Sequence, residues 1–221
     1  MSPPSRDRDR DRTIAPDIKE HERRDRNIPP GIKDHERRSI TNKTTGETIT
    51  WTTYGYESDG QEAAAVLVCK PGGGPPLHYH TTYAERFEAL DGEIGVRLGK
   101  DLASLDTLRL KPGEAADIPV GTVHRFFNDG DSDVTFKGFV RPAHAGFERS
   151  LYILFGLNND GLADPNTGMP RSLLHTALIG DMSDMKFPGF QGGLMNYVGS
   201  LLAAYARWTG VEEELLKKYW D

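Results

Sequence analysis

His78 and His80 stand one residue apart in Gly72-Gly73-Gly74-Pro75-Pro76-Leu77-His78-Tyr79-His80-Thr81-Thr82-Tyr83-Ala84-Glu85. Side chains at i and i+2 of a β-strand share a face, so this spacing sets two imidazoles side by side, as a chelate requires. Glu85 opens the following strand and can return a carboxylate oxygen to the same point. Imidazole with carboxylate is a donor set suited to Fe, Mn, Ni, Co, Cu or Zn. Alone, a His-x-His pair is a weak signal, because surface strands carry such pairs by chance. A second segment, Gly113-Glu114-Ala115-Ala116-Asp117-Ile118-Pro119-Val120-Gly121-Thr122-Val123-His124-Arg125-Phe126-Phe127-Asn128, adds a third histidine just after a Pro-x-Gly turn.

Together the two segments resemble the paired signature motifs of the cupin superfamily. The first motif is matched by Gly72, His78, His80, Glu85 and Gly92, the second by Gly113, Pro119, Gly121, His124 and Asn128, so every motif position is filled. The resemblance covers roughly residues 60–141 and implies a jelly-roll β-barrel. It also implies that His78, His80, Glu85 and His124 bind one divalent transition metal per chain, with iron first in order and Mn, Ni, Co, Cu or Zn as alternatives. Three neutral imidazoles and one carboxylate leave one or two coordination positions for water, substrate or dioxygen. Gly92, Gly113 and Gly121 fit tight turns at positive φ. Phe87 and Ala89 keep step with Glu85, and Phe126 with His124, so these side chains are expected to line the cavity. Phe87 and Phe126 then suggest a carbon-rich substrate, and Tyr79 should point away from the metal.

The elements that position these residues divide the chain into three zones. Residues 1–38 are rich in Arg, Asp, Glu and Pro and read as a charged, disordered tail, in which Ile18–Arg24 is nearly duplicated as Ile32–Arg38. A tandem docking motif is the alternative reading of that repeat. Residues 39–142 read as the barrel, with strands over 48–54, 62–69, 84–90, 93–98, 106–110, 115–118, 123–128 and 133–141 separated by Gly, Pro, Asp and Asn. Residues 143–221 carry apolar residues at helical spacing over 147–155, 171–182 and 193–208, and 211–218 places acids in its first turn and lysines in its last. This helical extension covers the barrel or builds a dimer contact. Met195, Leu201, Leu202 and Tyr205 are expected to pack against the protein's own core. The fold class is therefore mainly β, a cupin-type jelly roll with a helical C-terminal appendage.

The bulk properties exclude several classes. Net charge is −6; the first 40 residues hold eleven Lys/Arg against nine Asp/Glu, leaving sixteen against twenty-four in an acidic body. Such a body repels a phosphate backbone, so nucleic acid is not an expected partner. Tyr197 to Tyr205, the longest apolar stretch near the C-terminus, is too short to span a bilayer. With one cysteine, Cys69, and no apolar leader, a cytoplasmic protein is expected. Cys69 reads as a small buried hydrophobe, and His144 and His175 as structural. A metal-dependent oxidoreductase is the leading reading, namely a dioxygenase acting on a small organic molecule, with Glu85 loosening to act as a base. The alternatives are a redox-neutral lyase, isomerase or cyclase and a non-catalytic binding module. Expected partners are the substrate, dioxygen and, in a homodimer, a second copy.

Overall fold

A computed structural model describes residues 38–221. The repeat in the N-terminal segment lies outside these residues, except for Arg38. The described residues form nine strands: β1 (Ser39–Thr41), β2 (Thr48–Thr53), β3 (Ala63–Cys69), β4 (Ala84–Asp91), β5 (Ile94–Gly99), β6 (Asp106–Leu110), β7 (Ala115–Ile118), β8 (Val123–Phe127) and β9 (Val134–Arg141). Four helices follow: α1 (Ala145–Asn159), α2 (Leu173–Met182), α3 (Gly189–Trp208) and α4 (Val211–Tyr219). The β1 strand was not expected from the sequence; three residues are too few to show an alternation.

Two antiparallel sheets form, in the orders β1-β2-β3-β9-β4-β7 and β6-β5-β8. Hydrogen bonding does not run continuously from one sheet to the other, so the jelly roll is a two-sheet structure. The strands form where alternation gives one buried face: Ile49 and Trp51 of β2 are buried while Thr50 and Thr52 face out. The inner faces meet in a core of Phe87, Ala89, Ile94, Val96, Ile118 and Phe136, drawn from both sheets. β3 is buried along most of its length because helices cover its outer side. There Trp51, Tyr54, Ala63, Tyr83, Tyr152 and Trp220 share a second core, joining the large sheet to α1 and the chain end.

Local chemistry sets the helix ends. The α1 helix begins at His144, whose ring Nδ1 accepts from Phe147 N at 3.1 Å, so His144 is a cap and has the structural role expected of it. Ser172 caps α2 in the same way, accepting from His175 N. His175 lies in α2 with no hydrogen-bond partner on its Nδ1 among the described residues. No helix among them is long and apolar enough to cross a membrane.

In the first turn of α1 the buried Glu148 accepts a hydrogen bond from Gly55 N at 2.7 Å. Burial pushes its carboxyl up to about 7. In the unfolded chain the same group titrates near 4.3, so between about pH 4.5 and 7 the native state keeps a proton that the unfolded state has lost. Stability from this group is therefore lost as pH rises through that window and stays lost above it. Glu148→Gln keeps the acceptor and removes the charge. Its urea midpoint is expected to match the wild type near pH 4. At pH 8 the variant's unfolding free energy should exceed that of the wild type by up to about 4 kcal/mol, the value of the shift at ~1.4 kcal/mol per unit. A pH-independent difference between the two proteins would show that the buried charge is not the cause.

Candidate metal centre

The His78 segment lies in no regular strand. It runs extended between two isolated bridges, His78 to His124 of β8 on one side and Tyr79 to Lys186 on the other. His78 and His124 exchange both backbone hydrogen bonds, at 3.0 and 2.7 Å. The i, i+2 parity of the two histidines still holds in this short extended stretch, and the Tyr79 backbone pairs with Lys186. Glu85 stands on β4 opposite Ile118 of β7, and Gly121 N donates to His80 O at 2.8 Å. Gly92, Gly113 and Gly121 adopt φ of 74°, 89° and 79°, a region that strains side chains with a Cβ.

These elements bring His78, His80, Glu85 and His124 together, one donor atom from each lying within 4.8 Å of every other. All three imidazoles are oriented from behind by main-chain carbonyls. Nδ1 of His78 meets Pro76 O at 2.8 Å, that of His80 meets Asp184 O at 3.1 Å, and that of His124 meets Thr122 O at 2.9 Å. A carbonyl can only accept, so each Nδ1 carries hydrogen and each Nε2 is the atom presented to the centre. Nε2 of His124 lies 2.6 Å and Nε2 of His80 lies 3.6 Å from Glu85 Oε2. The donor set fits a divalent transition ion: three nitrogens and one carboxylate, each ring fixed in tautomer and direction by its outer partner.

The electrostatics follow from crowding imidazoles in a dry site. Burial, then the neighbouring His124 and His80, push His78 down to about 3. For Glu85, burial acts to raise the carboxyl, but the hydrogen bond to His124 and the nearby His80 ring hold it well below the usual carboxylate range. His124 is opposed by burial yet raised by its bond to Glu85. A metal ion and a proton compete for these same atoms.

Sequence reasoning missed the residues behind the site. Asp184, in the turn after α2, holds φ of 50°. Its carboxylate accepts from Thr81 N and Thr82 N at 2.6 and 2.8 Å and from both threonine hydroxyls, while its carbonyl orients His80. Tyr83 stacks on His80 with centroids 4.3 Å apart and gives its hydroxyl proton to Ser183 O at 2.7 Å. The 3.4 Å approach of that hydroxyl to His80 Nε2 is therefore not a donation, and the ring's lone pair stays available. The same turn is tied to α3, where the Asn196 side chain exchanges hydrogen bonds with both main-chain groups of Phe187, at 2.9 and 3.0 Å. A pairing between residues about 100 positions apart has no local sequence signature.

A cavity of about 310 Å³ opens beside His78, His80 and Glu85. Phe87, Phe126 and Phe136 line it, as do Phe147, Leu151 and Ile179. Ala89, expected at the cavity, is instead fully enclosed in the core between the sheets; it shares the parity of Glu85 but lies too far along the strand. No lysine or arginine among the described residues lines the cavity. Glu47 does, hydrogen-bonded to Thr45 and Gly74, with burial raising its carboxyl. Cys69 is buried, as expected of a small hydrophobe, and burial pushes its thiol up to about 12.

Comparison with known protein families agrees with this fold. Residues 65–139, from β3 to β9, match a family model described as a cupin domain. Over 93 residues the chain is 32% identical to a probable oxidoreductase, virH, of Hypocrea virens, covering 39% of this chain and 40% of that protein. Over 58 residues it is 38% identical to the oxidoreductase OpS7 of Beauveria bassiana, covering 26% of this chain and 18% of that one. The matches thus span well under half the length of these curated relatives. Among solved structures, KdgF from a Halomonas species is 17% identical with a TM-score of 0.40, over 48% of this chain and 90% of its own.

Proposed function

We propose, from the premise that residues 65–139 form a cupin domain, that this chain is a metal-dependent oxidoreductase, a dioxygenase acting on an apolar organic molecule. The observation that carries the reading is the convergence of three Nε2 atoms, each fixed by a carbonyl behind it, on the Glu85 carboxylate. A fully oriented donor set has little purpose in a protein that binds no metal. The oxidoreductase names of the two fungal relatives favour redox chemistry over Lewis-acid chemistry.

His78, His80, Glu85 and His124 would hold the ion, iron first among the candidates. The ion would supply a redox centre with open coordination positions for substrate and dioxygen. The chain's own residues do the rest. Phe87 and Phe126 grip the carbon skeleton and keep water from the donors. Without a lysine or arginine on the wall, an anionic group placed away from the ion would be unpaired at a cost of several kcal/mol, so the part of the substrate lying along the wall is uncharged. Glu85, bonded at present to His124, is the carboxylate placed to take a proton from a substrate hydroxyl. The lone buried thiol suits a reducing compartment, and we place the protein in the cytoplasm.

Elemental analysis of the protein purified without a histidine tag tests the ion. One metal per chain is expected, lost in both His78→Ala and His124→Ala. No metal after reconstitution, or metal retained in both variants, would end the proposal. Turnover of apolar organic compounds is then compared with and without oxygen. Turnover that stops without oxygen supports the dioxygenase, and unchanged anaerobic turnover assigns the site to a redox-neutral lyase, isomerase or cyclase.

A further inference from the structure

The α3 helix is built inside out. Its buried side consists of Gly192, Ala203 and Ala206, small residues that let it approach α2 closely; Gly192 lies so near Phe187 that a Cβ there would meet the Phe187 carbonyl at 2.3 Å. Its large apolar side chains point the other way. Phe190, Leu194, Tyr197, Val198, Leu201, Tyr205 and Trp208 are exposed, Phe190 at 92%, Trp208 at 81% and Tyr197 at 65%. Their spacing follows one helical stripe about 100° wide, the width of a face that packs against another element. The sequence expectation that Met195, Leu201 and Tyr205 pack into the protein's own core is thus overturned; only Leu202 is partly buried. Large residues on the inner side would hold α3 away from α2.

We infer that this stripe is the contact surface for a second copy of the chain, in a two-fold homodimer. Area, charge and the alternatives favour that occupant. Four aromatic side chains of ~150–250 Å² each, mostly exposed, with the aliphatic residues between them, offer on the order of 1,000 Å². A standard interface takes ~800 Å² from each partner. The only charged side chain of α3 is Arg207, and it is neutralised by Asp181 at 2.8 Å and Glu212 at 2.6 Å. Two copies of the face therefore meet without like-charge repulsion, as self-pairing demands. A membrane surface fits poorly, because interfacial helices flank the apolar face with unpaired lysines and arginines. The N-terminal segment fits poorly too. Residues 1–37 hold six apolar side chains outside proline and no aromatic, too few to cover a stripe of this size.

Sedimentation of the full chain at micromolar concentration tests the inference. The wild type is expected at about twice the 24.6 kDa of one chain. Tyr197→Glu with Leu201→Glu is expected at the mass of one chain, with unchanged far-ultraviolet circular dichroism. A monomeric wild type overturns the proposal, as does a dimer that survives the double substitution. Because the double variant could lose its fold, a cross-link offers a second reading. Val198→Cys on the stripe should form an interchain disulfide under mild oxidation, and Val120→Cys on the exposed turn before β8 should not. A Val198→Cys protein that stays uncoupled overturns the inference. So does a monomeric wild type that floats with phosphatidylserine vesicles, which would assign the face to lipid.

Discussion

Asp184→Ala is expected to weaken metal binding by about 10–100-fold, although the residue offers no donor to the site. Outer partners of metal-ligating histidines typically have effects of this size. The Asp184 carboxylate gathers two backbone N–H groups and two hydroxyls from Thr81 and Thr82. It thereby holds the segment that carries His80 against the carbonyl that orients His80 Nδ1. Burial acts to raise the carboxyl, but these donors hold it below the usual range, so it is an anion with its acceptors filled. Alanine removes that grip and adds the cost of a left-handed backbone, about 1 kcal/mol. Asp184→Gly separates the two effects, since glycine adopts φ of 50° freely but has no carboxylate. Equilibrium competition with a chelator is the measurement. If the glycine variant bound metal as tightly as the wild type, the carboxylate would have no part in ordering His80.

Gly74→Ala is expected to be the most damaging small substitution near the site. Gly74 has φ of 122°, and a Cβ on it would lie 2.3 Å from Phe126 O and 3.0 Å from Phe127 Cα. Both obstacles are backbone of β8 and cannot turn aside as a side chain does. Strained φ costs ~1–3 kcal/mol and forced overpacking a similar amount, so about 3 kcal/mol is expected in total. At ~2–4 °C per kcal/mol for a chain of this size, Tm should fall by roughly 10 °C. Relief requires the 74–78 segment to move off β8, which separates His78 from His124, so metal occupancy should fall with it. Gly72→Ala is the control. Its φ of 80° is also left-handed, but nothing lies within 4 Å of the added Cβ, so about 1 kcal/mol is expected. Equal melting shifts in the two variants would show that contact with β8 is not what makes Gly74 necessary.

The parts of the molecule legible in the sequence are those whose physics is local. Runs rich in β-branched and aromatic residues, bounded by Gly, Pro, Asp and Asn, marked β2 through β9 to within a residue or two, because both signals are local. The motif spacing brought out His78, His80, Glu85 and His124, since i, i+2 parity survives even where the chain pairs by single bridges. Gly92, Gly113 and Gly121 were legible because turns at positive φ select glycine. Asp184 was not, for the opposite reason. An aspartate in left-handed conformation has no signature, and its partners Thr81 and Thr82 lie over 100 positions earlier. The orientation of α3 was hidden differently. Periodicity shows which face is inside only when the other is polar, and α3 is apolar on both. There, side-chain size decides the matter: Gly192, Ala203 and Ala206 allow a close approach that Leu201 and Tyr205 forbid. Ala89 was misplaced because parity fixes the side of a strand but not the depth along it.

The latch formed by Asp184 also bears on the order of events during synthesis. All four donor side chains leave the ribosome by the time residue 124 has emerged, while the residue that holds His80 in line follows sixty positions later. Until then Thr81 and Thr82 have no carboxylate to bind, and His80 Nδ1 has no carbonyl behind it. A nascent chain therefore presents its histidines to any passing ion well before it can grade one ion against another by geometry. Metals that bind fast and tightly to loose imidazoles have the advantage in that interval. Completion of the turn after α2 ends the interval, and selection by shape begins only there.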